Sequence, residues 1–193
     1  MSDESTPFLV VPFNRLRSEP DKQLVQLEKQ FIREKIIQRS NQEIVRDPDP
    51  EVFAEIRALG SDLNINAFAC NFRMQDPHKP GVWLTNDDVE EANYLNKCIF
   101  DRLSVTNVHD NPLDIPVYIT STTFSHQDYG DCLKAYKERL GLETESEQRL
   151  SVLRNVVMSP FQATANFAAK IANTFVQTLE EELQVRNISL GHS

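Results

Sequence analysis

Apolar positions along this chain fall into two rhythms, one of three to four residues and one of two, and their succession predicts the elements. After a polar start, Phe8–Phe13 is a short apolar run broken by Pro7 and Pro12, an arm laid across a partner or across the domain itself. Between Asp21 and Arg39, the residues Leu24, Leu27, Phe31, Ile32 and Ile36 recur at helical spacing with charges between them. Asp47-Pro-Asp-Pro50 marks a break. A shorter helix over Glu51–Leu59 then runs up to Gly60, a residue favoured just past a helix C-terminus.

Strands and helices alternate from there on. Ile65–Phe72 places Phe68, Cys70 and Phe72 on one face and Ala67, Ala69 and Asn71 on the other. Thr85 opens a T-x-x-D capping pattern ahead of a long helix, Asp87–Leu103, whose early carboxylates suit its positive end. Ile115–Phe124, rich in β-branched residues, predicts a second strand. Ser125-His-Gln-Asp128 repeats the capping signature before a helix through Tyr129, Leu133, Tyr136 and Leu140, stopped by Gly141. Leu150–Met158 predicts a third strand ended by Pro160. Thr164 to about Val185 predicts the longest helix, with Phe167, Ile171, Phe175 and Leu179 on one stripe. The prediction is an α+β fold, one small sheet covered by helices, with a helical N-terminal arm. Its parts are an arm over 1–20, a helical segment over 21–60 and an α+β domain over 61–193.

Composition narrows the partners. A net charge of −9 over 193 residues argues against nucleic acid, whose phosphates need a basic surface, and against anionic lipid. No stretch reaches the ~20 apolar residues of a membrane span. The polar, acidic start is unlike a signal peptide. Three widely spaced cysteines, Cys70, Cys98 and Cys132, suit reduced thiols in a cytoplasmic protein better than a disulfide framework or a zinc site.

Several chemistries lack their motifs. There is no glycine-rich phosphate cradle, no H-E-x-x-H, no clustered Cys/His set and no G-x-S-x-G elbow. Asp47-Pro-Asp-Pro-Glu51 alternates carboxylates, but its prolines and missing glycine suit a solvated linker better than a calcium loop. No metal is expected.

Three segments, read in order, carry a resemblance. They are Gly60-Ser-Asp-Leu-Asn-Ile-Asn-Ala-Phe-Ala-Cys-Asn-Phe72; Glu91-Ala-Asn-Tyr-Leu-Asn96 with Tyr118-Ile-Thr-Ser-Thr-Thr123; and Leu153-Arg-Asn-Val-Val-Met-Ser-Pro-Phe161. Together, from roughly Pro12 to Glu182, the chain resembles the C-terminal part of the group II pyridoxal-phosphate decarboxylases, in particular the tyrosine decarboxylase branch and its fungal relatives. In that family the cofactor belongs to a large domain upstream, where a lysine in a Ser/Asn-x-His-Lys context forms the Schiff base. Asp76-Pro-His-Lys79 echoes that context but falls after the first strand, where relatives have a variable loop. Covalent pyridoxal phosphate is therefore not expected, and no other cofactor is implied.

The resemblance also implies a role for Arg154, matching an arginine that reaches toward the substrate carboxylate in glutamate-decarboxylating relatives. A guanidinium suits this because it is always charged and forks bidentately; pairing with a structural carboxylate is the plainer reading. Strand alternation offers Arg154 either Tyr118, Thr120 and Thr122 on one face or Ser121 and Thr123 on the other. Phe68 and Trp83 are candidate walls for a substrate, Trp83 equally a helix staple. His126, at a helix start beside Asp128 and Asp131, is a candidate for proton transfer or simply a capping-turn histidine. Asn64, Asn66 and Asn71 sit in or beside a strand that disfavours asparagine, so each needs a hydrogen-bond partner, a ligand or the arm.

Two classes of function follow. In one, the domain binds and shapes a small molecule without a cofactor, as a cyclase or isomerase working through proximity and orientation. In the other, it is a non-catalytic homodimer or an accessory partner of a full-length amino-acid decarboxylase: the apolar arm and the Asp21–Arg39 helix favour association, and surface that relatives bury against the large domain is covered most simply by another copy.

Overall fold

The computed structural model describes residues 6–60, 65–76, 78–79, 81–106, 111, 117–156 and 167–190, the side chains of 156, 167–168 and 186–190 excepted. These fall into two compact units, 14–64 and the pair 1–13 with 65–193.

The larger unit is α+β. Strands β1 (Phe8–Pro12), β2 (Ile65–Gln75), β3 (Trp83–Thr85), β4 (Thr120–Phe124) and β5 (Leu150–Val156) form an antiparallel sheet. Its order is β1-β2-β5-β4, with β3 pairing the far end of β2. The Phe8–Phe13 run is thus a strand of the domain itself, Val10 opposite Cys70 and Pro12 opposite Phe68. Prolines are tolerated there because β1 lies at the edge, where half the backbone donors need no ladder partner.

Parity sorts the strands onto two faces. Val10, Phe68, Cys70, Phe72 and Leu153 pack against helices α4 (Val89–Arg102) and α7 (Phe167–Leu190), with Phe68 edge-on to Phe175 at 5.3 Å. Val11, Ala69, Leu150, Val152 and Phe124 pack against α6 (Asp131–Leu140) through Leu133, Tyr136 and Leu140. Tyr136 also donates its hydroxyl to the Val11 carbonyl at 2.7 Å, tying α6 to β1.

The ends of two helices and the start of one strand correct the sequence reading. Asp88, not Thr85, caps α4, accepting from the Glu90 and Glu91 N–H groups. Ser125 does cap, but the helix it opens is a single turn, α5 (His126–Tyr129), because Gly130 at φ +48 breaks it before α6. The second strand begins at Thr120, so Tyr118 precedes it; Ile115 lies outside the described residues, as do Met158, Thr164 and Asn64. Gly141 ends α6 at φ +76, as its position predicts.

The smaller unit is helical. Asp21 caps α1 (Lys22–Ile32), which widens into a π turn at Arg33–Ile37. Two short helices follow: α2 (Asn41–Arg46), behind a Ser40–Glu43 capping box, and α3 (Pro50–Ala58). Asp49 caps α3 through the Glu51 N–H, so this stretch of alternating carboxylates is a helix start. Among the described residues no helix is long and apolar enough to cross a membrane.

Candidate functional site

β2 and β5 stop pairing at Phe68 and Leu153. Had the register continued, Cys70 would face Ser151. Helix α4 stands there instead, and two asparagines one turn apart take over the backbone groups. Asn96 accepts the Cys70 N–H (2.9 Å) and donates to the Cys70 carbonyl (2.8 Å), the exchange made by an antiparallel hydrogen-bonded pair. Asn93 accepts the Ser151 N–H and donates to the Arg149 carbonyl, both at 2.7 Å. α4 therefore acts as a wedge that splays the sheet. Asn71 and Asn86, buried together, do related work: Asn71 donates to the Asn86 and Leu140 carbonyls at 2.7 and 2.8 Å. Both wedge asparagines lie in the Glu91–Asn96 segment, and their spacing of three was the available signal.

Splaying leaves Leu150–Val152 of β5 paired with β4 alone, whereas Arg154, toward the other end, is paired with both β2 and β4. Its direct neighbours are Ala67 on β2 and Thr120 on β4, which puts all three on the α6 face, with Thr122 next along. Arg154 is half-buried, and its Nε is fully buried with no hydrogen-bond partner. The Thr120 hydroxyl meets the Arg154 carbonyl at 3.4 Å. Short side chains thus flank a guanidinium whose inner donor is unspent.

The other sequence-predicted residues lie apart from it. Phe68 points to the opposite face, onto α7. Trp83 pairs with Gln75, eight residues along β2 from Ala67, roughly 26 Å at ~3.3 Å per residue. His126 is exposed beyond the far end of β4, up to roughly 20 Å from Thr120 by the same rise. Tyr118 is exposed just ahead of β4. The structure therefore joins Arg154 with Thr120 and Thr122, and places neither His126 nor Trp83 in reach of one small molecule with them.

Two surface hollows are lined by other residues. One, of about 320 Å³, lies between α4 and β4–β5, with Tyr94, Lys97, Phe100 and Ser121 in its lining. The other, of about 510 Å³, is acidic and sits at the start of α4. Among the described residues no three His, Cys, Asp or Glu side chains are placed to hold a metal ion.

Two lysines bear on pyridoxal phosphate. Lys79 is exposed on the β2–β3 turn, where Asp76 accepts the His78 N–H at 2.8 Å. Lys137 is 2% exposed, but its Nζ donates to the Ser146 and Gln148 carbonyls at 2.6 and 2.9 Å. Burial pulls that ammonium below its ordinary value, against the pull of Glu147 and Glu143. It anchors the loop that crosses it. Lys79 thus faces solvent, and the Lys137 ammonium is already engaged by two carbonyls.

The model of the tyrosine decarboxylase C-terminal family matches residues 82–183, just over half of the chain. The chain belongs to this family. The match takes in β3, the α4 wedge, the β4–β5 pair with Arg154, and α7 as far as Leu183; β1 and β2 lie before it. L-tyrosine decarboxylase of Enterococcus faecium is 38% identical over 78 residues, covering 38% of this chain and 12% of that protein. The chain thus corresponds to a small part of the length of that relative.

Proposed function

We propose that this decarboxylase C-terminal-like domain binds a small carboxylate-bearing molecule at Arg154 and shapes it without pyridoxal phosphate, as a cofactor-free cyclase or isomerase. The carrying observation is the buried, unpartnered Arg154 Nε, flanked by Thr120 and Thr122 on one sheet face. A buried donor without a partner costs on the order of 1–3 kcal/mol, so a site that retains one is poised to gain that much when an acceptor arrives. A carboxylate answers Nε and one terminal nitrogen together, and the threonine hydroxyls accept or donate to the rest of the ligand. Catalysis here rests on orientation and on polarising a carbonyl, and His126 is too distant to share the substrate.

NMR titration of the labelled chain with L-tyrosine and other aromatic carboxylates tests this. The Arg154 Nε–H signal shifts on binding, and Arg154→Lys, which keeps charge but loses the fork, binds at least tenfold more weakly. Unchanged Nε–H shifts with every carboxylate sink the site. A stable visible band with added pyridoxal phosphate, lost in Lys79→Ala or Lys137→Ala, sinks the cofactor-free part.

A second reading, a non-catalytic homodimer or accessory partner of a full-length decarboxylase, draws on the β2–β3 hairpin. Met74, Val82, Trp83 and Leu84 are all 37–47% exposed there. If sedimentation shows a dimer that Leu84→Lys dissociates, while no carboxylate binds, this reading replaces the first.

A further inference from the structure

We propose that the hollow between α4 and the β4–β5 pair is a second binding site, on the sheet face opposite Arg154, for a small aromatic cation: a flat ring carrying an amine on a short tether. The wedge that opens the sheet also shapes this hollow. α4 stands at the gap between β2 and β5, with Asn93 and Asn96 committed to backbone groups there. Beside it the hollow, of about 320 Å³, opens over Ser151 and Leu153 of β5 and Ser121 of β4. Register puts these three on one face. Ser121 stands opposite Leu153 and Ser151 opposite Thr123, while Thr120, Thr122 and Arg154 alternate to the other side. The volume is at the lower end of the ~300–1,000 Å³ that small-molecule sites occupy.

The lining suits a ring. Leu153 is a buried floor, and Phe100, half-buried, and Tyr94, exposed, rise from α4 beside it. Aromatic walls favour an aromatic guest, held by edge or offset contact with each ring.

Charge decides the rest of the ligand. Lys97 is engaged by Asp101 one turn further along α4. Among the described residues the Glu90 carboxylate makes no ion pair, and the Ser121 and Ser151 hydroxyls have no hydrogen-bond partner. The one uncompensated charge in the lining is therefore negative. Asp87 and Asp88 reinforce it, since Glu90 also lines the acidic hollow that they share, and the net charge of −9 adds to the same field. That field repels an anion and draws a cation, which the face of the Tyr94 ring also attracts.

Helix geometry sets the ligand's length. Glu90 and Tyr94 are four residues apart on one side of α4, about 6 Å along the axis, and Tyr94 and Phe100 are about 9 Å apart by the same rise. A ring seated between Tyr94 and Phe100 thus brings an ammonium about two or three carbons away to Glu90. A bare ammonium would leave the apolar floor uncovered, and a neutral ring would leave Glu90 unanswered.

Amide NMR of the labelled full chain, titrated with phenethylamine and separately with phenylpropionate, tests this. The two probes carry the same ring on similar tethers with opposite charge. The amine is expected to shift the Tyr94, Lys97, Ser121 and Ser151 signals, and the carboxylate to leave them in place. Glu90→Gln should weaken the amine at least fivefold, and Ser121→Leu, which fills the hollow from an exposed strand position, should abolish its binding. Arg154→Lys should leave it unchanged, so this site and the carboxylate site on the other face stand or fall separately. Amine shifts confined to Asp87, Gly141 and Glu143, equal response to the carboxylate, undiminished affinity in Glu90→Gln, or no response to millimolar amine overturns the proposal. The comparison of the two probes on the unaltered chain decides the matter if a variant does not fold.

Discussion

Asn96 on α4 satisfies both backbone groups of Cys70 on β2, at the position where the sheet's own ladder ends. A helix side chain thus replaces a strand, and the sheet opens without leaving a buried peptide unpaired. Asn96→Ala removes that partner from a fully buried N–H and C=O. At ~1–3 kcal/mol for each orphaned group, a loss of about 3 kcal/mol is expected. Asn93, half-buried, costs about 1 kcal/mol when truncated. Urea midpoints of the two variants check this. Equal small losses would mean that the wedge is held by apolar packing instead.

Arg154 makes the opposite prediction. Its buried Nε has no partner in the free protein, so Arg154→Leu relieves a desolvation cost while keeping apolar bulk. Thermal melting should show stability unchanged or raised by up to about 1 kcal/mol, alongside complete loss of carboxylate binding. A strongly destabilised Arg154→Leu would mark the arginine as structural.

Lys137 links burial to pH. Its folded value lies below the ordinary 10.5, so between the two the unfolded chain holds more protons and stability rises with pH. Lys137→Met retains the apolar stem and removes the titration. Comparing urea midpoints at neutral and alkaline pH, the wild type should gain relative to the variant as pH approaches 10.5. A constant difference between the two would show that the ammonium is not desolvated.

Gly141 joins α6 to the β3 edge. Its φ of +76 costs an L-residue about 1–2 kcal/mol, and an added Cβ would stand 2.7 Å from the Thr85 Cγ2. Gly141→Ala should therefore destabilise by more than the backbone cost alone. Thr85→Ser, which deletes that methyl, should return part of the loss in a double-mutant cycle. Additive losses would place the strain in the backbone only.

How much of this was legible in the sequence depended on the range of the interaction involved. Ser125 and Gly141 read correctly, and Asp49 sits where a break was marked, because caps and stops act over three or four residues. The 3.6 period placed α7 and its Phe175 and Leu179 contacts. β1 read only as an arm with two possible resting places, since its partner strand lies beyond fifty intervening positions. The α4 wedge left only a faint trace for a related reason: apart from their spacing of three, Asn93 and Asn96 look like solvated helix residues until two strands are brought against them. Arg154 was singled out by family likeness, whereas the face of Phe68 and the distances of Trp83 and His126 needed the register. β3, three residues long, has too few positions for any period to show.

β1 and β2 are adjacent and antiparallel, which makes them a hairpin whose connecting loop is the whole helical unit, 14–64. Seen so, that unit is an insert between two strands already committed to each other, and the ladder does not depend on what fills the gap. Swapping it for a short turn would recover roughly 2 kcal/mol of loop-closure entropy, at ~0.6 kcal/mol per halving of length. The reverse holds for cutting at the start of the recognisable family segment, residue 82. That fragment discards β2, which pairs with β1, β3 and β5, so the portion of this chain easiest to recognise lacks the strand that joins its own sheet.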